Sequence, residues 1–338
     1  WPRLRPARTV ESMRAVYAAS QDARDPLSGL QVGDLSVPSP PEGWVPVQVR
    51  AAALNHHDLW SLRGVGLPAD RLPMVLGTDA AGTDSEGNEV LVHAVVASPT
   101  WQGEETLDPK RTLLSELHPG TFAETVWVPA RNVVPKPTEL SFAEAACVPT
   151  VYLTAYRMLF DAAGVRPGQR VLVQGAGGGV AAAAIQLARA AGCYVLATSR
   201  SETKRAAAVE TLGAHEALAT GTRVAPVDAV LETVGEATWE HSLRSLRPGG
   251  VVAVAGATSG PAPSADLNRV FFRSLRVVGT TMGTLEQLHE VVAMMLTTGV
   301  RPVIDSRFVL DSADDVRSAF ARLASGEVFG KVVLTRDG

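Results

Sequence analysis

Val171, Leu172 and Val173 form an apolar run that leads directly into Gly175, Ala176, Gly177, Gly178 and Gly179, and Val180 then opens an alanine-rich stretch. A second apolar run, Cys193 to Thr198, ends at Ser199 and Arg200. Strand, glycine turn, helix and strand in this order make a βαβ unit suited to a dinucleotide. The glycines let the backbone pass close to a pyrophosphate, whose charge is stabilised at the following helix N-terminus. Gly175, Gly178 and Ala181 are spaced three apart, and Ala181 takes the last glycine position, where close packing of helix on strand is what matters. An NAD enzyme would place a carboxylate on the ribose about 20 residues past the central glycine. Ser199, Arg200 and, one helical turn on, Lys204 stand there instead. A hydroxyl and two cations accept a 2′-phosphate through charge-assisted bonds, so NADP(H) is the expected coenzyme. The plainer alternative is that Ser201 caps the next helix while Arg200 and Lys204 are solvated surface.

These residues need a frame. Up to about residue 130 the chain reads as short strands and turns, with alternation at Val45, Val47 and Val49 and turn residues from Pro38 to Gly43. From Phe142 the pattern becomes helix, strand, helix, strand. Val171 to Val173, Cys193 to Thr198, Val227 to Leu231 and Val251 to Ala255 read as four strands of a buried parallel sheet. Val180 to Ala191 and Ser201 to Leu212 read as helices stopped by Gly192 and Gly213. Beyond Arg276, helices over Leu285 to Leu296 and Val316 to Leu323 alternate with strands near Phe308 and Val332. The fold class is α/β, in two domains.

Composition narrows the function classes. The 338 residues are 46% hydrophobic and 20% charged with a formal charge of −4, which argues against nucleic acid or an anionic membrane as partner. No apolar span reaches bilayer length. Arg3, Arg5 and Arg8 precede no apolar run, so no secretory signal is read there, and Met13 is taken as the functional start. The cysteines, Cys147 and Cys193, form no metal-ligand or disulfide pattern, which fits a reducing cytoplasm. The expectation is a cytoplasmic enzyme acting on a small molecule.

Several separate stretches together resemble the medium-chain dehydrogenase/reductase superfamily. They are VQVRAAALNHHD ending at Asp58, LGTDAAG at Leu76 to Gly82, GTFAE at Gly120 to Glu124, PTVYLTAY at Pro149 to Tyr156, the glycine turn, VDAVLETVG at Val227 to Gly235, Leu246 to Gly256, and FGKVVL at Phe329 to Leu334. The resemblance implies a GroES-like catalytic domain over 13–150 and 282–338, with a Rossmann-fold coenzyme domain over 151–281 inserted between them. It also implies a homodimer or homotetramer. It places Thr150, Thr154, Thr233, Val234, Ala255, Gly256, Thr280, Thr281 and Met282 along the coenzyme cleft, and Lys331 near the coenzyme phosphates.

Alcohol dehydrogenases of this superfamily hold a catalytic zinc with two cysteines and a histidine. The corresponding places here carry Asn55, Thr150 and Thr78, and the segment Ser98 to Pro119 contains none of the cysteines of a structural zinc loop. Amide and neutral hydroxyls do not replace thiolate and imidazole around Zn²⁺, so no metal is expected and the resemblance narrows to quinone oxidoreductases and enoyl reductases. Without a Lewis acid, hydride is most easily delivered to a quinone or an α,β-unsaturated carbonyl, which spreads the resulting charge. The LNHHD loop would flank the reaction: Asn55 as amide donor, His57 as proton donor, Asp58 beside it, and His56 where relatives carry a basic residue. Paired histidines bonding backbone and Asp58 capping a short helix form the competing account. The charged segment Trp101 to Leu117 is expected to border the substrate cleft. Rival functions are a zinc-free ketone reductase or alcohol dehydrogenase, and a protein that binds NADPH without turnover.

Overall fold

A computed structural model describes residues 11–336; Arg3, Arg5 and Arg8 lie outside the described residues. The coenzyme half is a six-stranded, all-parallel sheet. Its spatial order is Glu216–Leu218, Tyr194–Thr198, Arg170–Val173, Val227–Glu232, Leu246–Val254, Arg276–Gly279. Numbered along the chain this is 3-2-1-4-5-6, the doubly wound order that opens a crevice at the carboxyl ends of the central strands. Alternate side chains of each strand feed different cores. Val171 and Val173 join the cluster that contains Ala181 to Ala184, whereas Leu172 packs with Leu196, Val230 and Val252 on the opposite face.

Four strands are legible as apolar runs; the two edges are not. Glu216–Leu218 is only half-buried and Arg276–Gly279 is largely exposed, so neither carries the continuous apolar pattern of a strand covered on both faces. Helix Gly179–Ala190 buries Ala181 to Ala184 and Ala188, small side chains that permit close packing, together with Ile185 and Leu187.

The other half is β-rich. A seven-stranded sheet contains Trp44–Ala53 at its centre, flanked by Asp79–Thr83 and, from the far end of the sequence, Lys331–Thr335. Strand Ile304–Val309 pairs in parallel with Lys331–Thr335. A smaller sheet joins Glu11–Ala18, Leu30–Val37 and Met74–Val75, and Val95–Val96 pairs with Thr112–Leu113. The GroES-like lobe and the Rossmann-type sheet of the sequence reading are therefore both present. One apolar cluster runs from Ala51, Ala81 and Leu91 to Val171 and Leu187, joining the lobes through the helical segment 142–162. That segment contains two wide helical turns, Val148–Tyr152 and Arg157–Ala162, on either side of Leu153–Tyr156. No helix among the described residues is long and apolar enough to cross a membrane.

Candidate active site

The glycine turn sits at the carboxyl end of Arg170–Val173. Gly175 and Gly177 have φ of 76° and 118°, which side chains rarely adopt. A Cβ on Gly175 would lie 2.7 Å from the Val234 side chain, and one on Gly177 would lie 2.7 Å from that of Lys204. Helix Gly179–Ala190 starts at Gly178 with no side-chain cap, so its first N–H groups remain available to an anion. Ala176 N–H donates to Thr198 O at 2.7 Å, fixing the turn to the neighbouring strand end. Val180 is half-buried on the first helical turn.

The flanking turns converge on this place. The fully buried Glu232 carboxylate accepts from the N–H groups of Val234 and Gly235 at 2.8 and 3.0 Å, holding the Thr233–Val234 turn. Ala255 N–H donates to Glu232 O at 3.0 Å, and a Cβ on Gly256 would stand 3.1 Å from Thr233 O. Thr280 N–H donates to Val254 O at 2.9 Å, and Gly283 packs on Leu153 beside the buried Thr154. The turns carrying Thr233, Val234, Ala255, Gly256 and Thr280 are thus tied together at the carboxyl ends of the sheet strands, and the bare helix start and side-chain-free glycine turn fit a dinucleotide pyrophosphate. Sequence reasoning missed Glu232, although a charged residue ending an apolar strand is the signal that marks it.

At the end of Tyr194–Thr198, Ser199 is buried and Arg200 is exposed. Lys204 Nζ donates to Gly326 O at 2.6 Å. Arg205, also missed, donates to Ser199 O and Arg200 O at 3.0 and 3.2 Å and so fixes the turn. Ser201 does cap the next helix, accepting from Lys204 N–H at 3.3 Å. Capping by Ser201 and an anion site at Ser199 and Arg200 are compatible.

Asn55, Thr78 and Thr150 are brought together. Asn55 Nδ2 donates to Thr78 Oγ1 at 3.1 Å and to Asp79 Oδ2 at 2.9 Å, while the Thr78 and Thr150 hydroxyls are 3.2 Å apart. Lys331 Nζ completes the group, donating to Asn55 Oδ1 at 2.6 Å, Leu54 O at 2.7 Å and Asp79 Oδ2 at 3.2 Å. An amide, two hydroxyls and an ammonium ion form no first shell for zinc, and among the described residues no three His, Cys, Asp or Glu side chains cluster as metal ligands.

Three expectations change here. Asn55 spends both amide hydrogens inside this network, so it has none for a substrate oxygen. The stem of Lys331 passes Gly179, but its ammonium is buried on Asp79 and Asn55 instead of reaching the phosphate end of the crevice. Asp58 is fully buried and accepts from Asn55 N–H at 2.8 Å and Gly77 N–H at 3.1 Å, which makes it a helix cap and loop clamp. Burial pushes its carboxyl up to about 6.

His57 stands apart from that network. On helix His56–Leu62 it is half-buried, with Nε2 3.3 Å from Glu116 Oε1 and Nδ1 buried without a partner among the described residues. Burial opposes a charge on His57, but the Glu116 hydrogen bond and the charges of Asp58 and Glu116 outweigh it and lift the imidazole above the ordinary histidine range. His56 is exposed on the same turn. Glu116 lines a cavity of about 270 Å³ with Thr106, Arg111, Thr112, Leu113, Val95, Thr281 and Met282. The unfamiliar segment 101–117 therefore walls a cavity, and the turn Thr281–Met282 lines it as well. Arg157, buried in the second wide turn, pairs with Glu104 and bonds Gln287 at 3.3 Å, pinning that wall in place. Glu104, Glu116 and Arg157 were not singled out from sequence, since no local pattern ties a surface-like acidic residue to a distant histidine or arginine.

Residues 41–138 match the alcohol dehydrogenase GroES-like domain, and residues 179–297 match the zinc-binding dehydrogenase domain. The chain is 28% identical over 310 residues to an acryloyl-coenzyme A reductase of Sulfurisphaera tokodaii, covering 86% of this chain and 92% of the relative. It is 31% identical to a zinc-type alcohol dehydrogenase-like protein of Schizosaccharomyces pombe, over 87% of this chain and 91% of the relative. The crystal structure of an NAD-dependent alcohol dehydrogenase superposes with a TM-score of 0.87 at 35% identity, over 96% of this chain and all of that one.

Proposed function

The chain belongs to the medium-chain dehydrogenase/reductase superfamily, and from that premise we propose that it is an NADPH-dependent reductase of quinones or α,β-unsaturated carbonyl compounds, working without zinc. Enoyl thioesters are the favoured acceptors within that class, in keeping with the similarity to acryloyl-coenzyme A reductase. The observation that carries the reading is the hydrogen-bonded group Asn55, Thr78, Thr150 and Lys331, which stands where a metal-dependent relative needs thiolate and imidazole.

A reduced nicotinamide supplies hydride when bound. The residues of the chain do the rest. The glycine turn and the start of helix Gly179–Ala190 would hold the pyrophosphate, and Ser199 and Arg200 would hold the 2′-phosphate. Zinc would contribute several kcal/mol by polarising a carbonyl. Without it the acceptor itself must disperse the charge, as an enolate or hydroquinone does. His57, whose hold on a proton the Glu116 hydrogen bond strengthens, then gives the proton that completes the reduction.

The same reading includes a homo-oligomer. The edge strand Arg276–Gly279 and the helix before it expose Leu267, Phe271, Phe272 and Val277, an unpaired edge beside apolar side chains that a second copy can cover.

The test is coenzyme oxidation followed spectrophotometrically, with NADPH and NADH each presented to enoyl thioesters, enones, quinones and simple ketones. The expected result is turnover with the conjugated acceptors and a preference for NADPH. Turnover confined to simple ketones or alcohols would favour the dehydrogenase reading, and tight NADPH binding with no oxidation would favour a binding protein.

A further inference from the structure

We propose that Glu116 is a positioning residue that decides which nitrogen of His57 exchanges its proton: Nε2 stays protonated against the carboxylate, and Nδ1 delivers. The inference rests on the reading of His57 as proton donor and adds the partner that sets its tautomer.

Glu116 is itself fixed. Its Oε2 accepts from Leu113 N–H at 2.9 Å and from the Thr112 hydroxyl at 3.1 Å, which leaves Oε1 for His57 at 3.3 Å. Thr112 and Leu113 form a strand paired with Val95–Val96, so both donors that hold the carboxylate, one side-chain hydroxyl and one backbone N–H, are carried by a paired strand. Burial works to neutralise Glu116, but the bonds from His57, Leu113 and Thr112 and the charge of His57 hold it below the usual glutamate range. An ionised carboxylate can only accept, so it selects the His57 form with hydrogen on Nε2. His57 Nδ1 is buried and has no partner among the described residues, so no side chain described there competes for its proton. Asp58 bears on His57 through its charge, while its two oxygens accept from the backbone N–H groups of Asn55 and Gly77. The charged groups bearing on His57 are Asp58 on its own helix and Glu116 across from it, and Arg111 stands on the wall of the same cavity.

The chemistry balances. A bound reduced nicotinamide would supply hydride to the β-carbon of the acceptor, and the chain's part is to protonate the resulting enolate. The Nδ1–H bond of His57 breaks with its electron pair remaining on nitrogen, the proton bonds to the enolate, and imidazolium becomes the neutral Nε2–H tautomer that Glu116 stabilises. A proton taken up from the medium when the site opens between turnovers restores the imidazolium.

The test uses Glu116→Gln, whose amide oxygen keeps the Leu113 bond, with Glu116→Asp and His57→Gln as companions. Imidazole nitrogen NMR on coenzyme-free protein should report the Nε2–H tautomer in the parent. In Glu116→Gln the tautomer should shift toward Nδ1–H and the His57 midpoint should fall by about one pH unit, equivalent to about tenfold. With coenzyme, kcat at pH 8 should drop about tenfold with the coenzyme KM unchanged, and Glu116→Asp should restore part of it. Unaltered tautomer and midpoint in Glu116→Gln would overturn the inference, even if kcat fell. Full kcat in His57→Gln alongside the expected NMR changes would instead overturn the proton-donor reading.

Discussion

The ammonium of Lys331 lies 3.2 Å from the carboxylate of Asp79, with both side chains almost wholly out of water. This ion pair joins the last strand of the β-rich sheet to Asp79–Thr83 and to the loop carrying Asn55. Removing one partner strands the other charge in the core. Lys331→Met should lower stability by about 3–5 kcal/mol, the usual cost of breaking a buried pair, and adding Asp79→Asn should recover most of it. Urea unfolding of the two variants measures both. A single variant as stable as the parent would refute the structural role given to the pair.

Coenzyme choice is expected to rest on Arg200. NADPH should be preferred over NADH by at least about tenfold in kcat/KM, since a well-paired phosphate is worth about 1.4 kcal/mol or more. Arg200→Ala should erase most of that ratio by weakening NADPH while leaving NADH kinetics nearly unchanged. An unaltered ratio would assign the exposed guanidinium to solvent.

Metal removal should do nothing. Protein dialysed against a chelator is expected to keep its full rate, added zinc should not raise it, and metal analysis should find no stoichiometric zinc. Loss of turnover restored by Zn²⁺ would contradict the reading of Asn55, Thr78 and Thr150.

Acid stability should have an identifiable source. His93 is buried with both ring nitrogens unpartnered among the described residues, and burial, with the charges of Arg131 and His289, pushes it down to about 3. Below its ordinary value the unfolded chain binds a proton that the folded one refuses, so stability falls as pH drops from about 6.5. Asp58 acts with opposite sign: its carboxyl is raised to about 6, so its contribution is lost as pH rises from about 4 to about 6. His93→Phe should therefore gain about 2 kcal/mol relative to the parent between pH 7 and pH 5, at about 1.36 kcal/mol per unit. A pH-independent difference in denaturant midpoint would show that His93 titrates normally.

Assembly can be tested at the exposed edge. Val277→Lys together with Phe271→Lys should convert a dimer to monomers in sedimentation experiments without unfolding it. A parent that sediments as a monomer would remove the edge strand from consideration.

Much of this architecture is legible in the amino-acid order because burial writes a repeating signal. Val171 to Val173, Val227 to Leu231 and Val251 to Ala255 announce central strands, and Gly175 to Gly179 announce the turn between them. Glu216–Leu218 and Arg276–Gly279 stay hidden because an edge strand faces water and needs no apolar run. The site divides in the same way. His57 can be suspected from its neighbours in LNHHD, whereas Glu116 lies 59 positions away and meets it through a strand pairing with no local signature. The roles of Asn55 and Lys331 differ from expectation for one reason: a sequence reveals which donors a residue owns, but only packing reveals which are already spent.

Gly330 N–H reaches Gly177 O at 2.9 Å, and Lys204 clasps Gly326, so the coenzyme turn is completed by chain synthesised roughly 150 residues later. A nascent polypeptide emerging from the ribosome can form the parallel sheet well before it can close this clasp. The order of translation thus leaves the last bonds of the glycine turn unmade until the β-rich lobe has received its final strand.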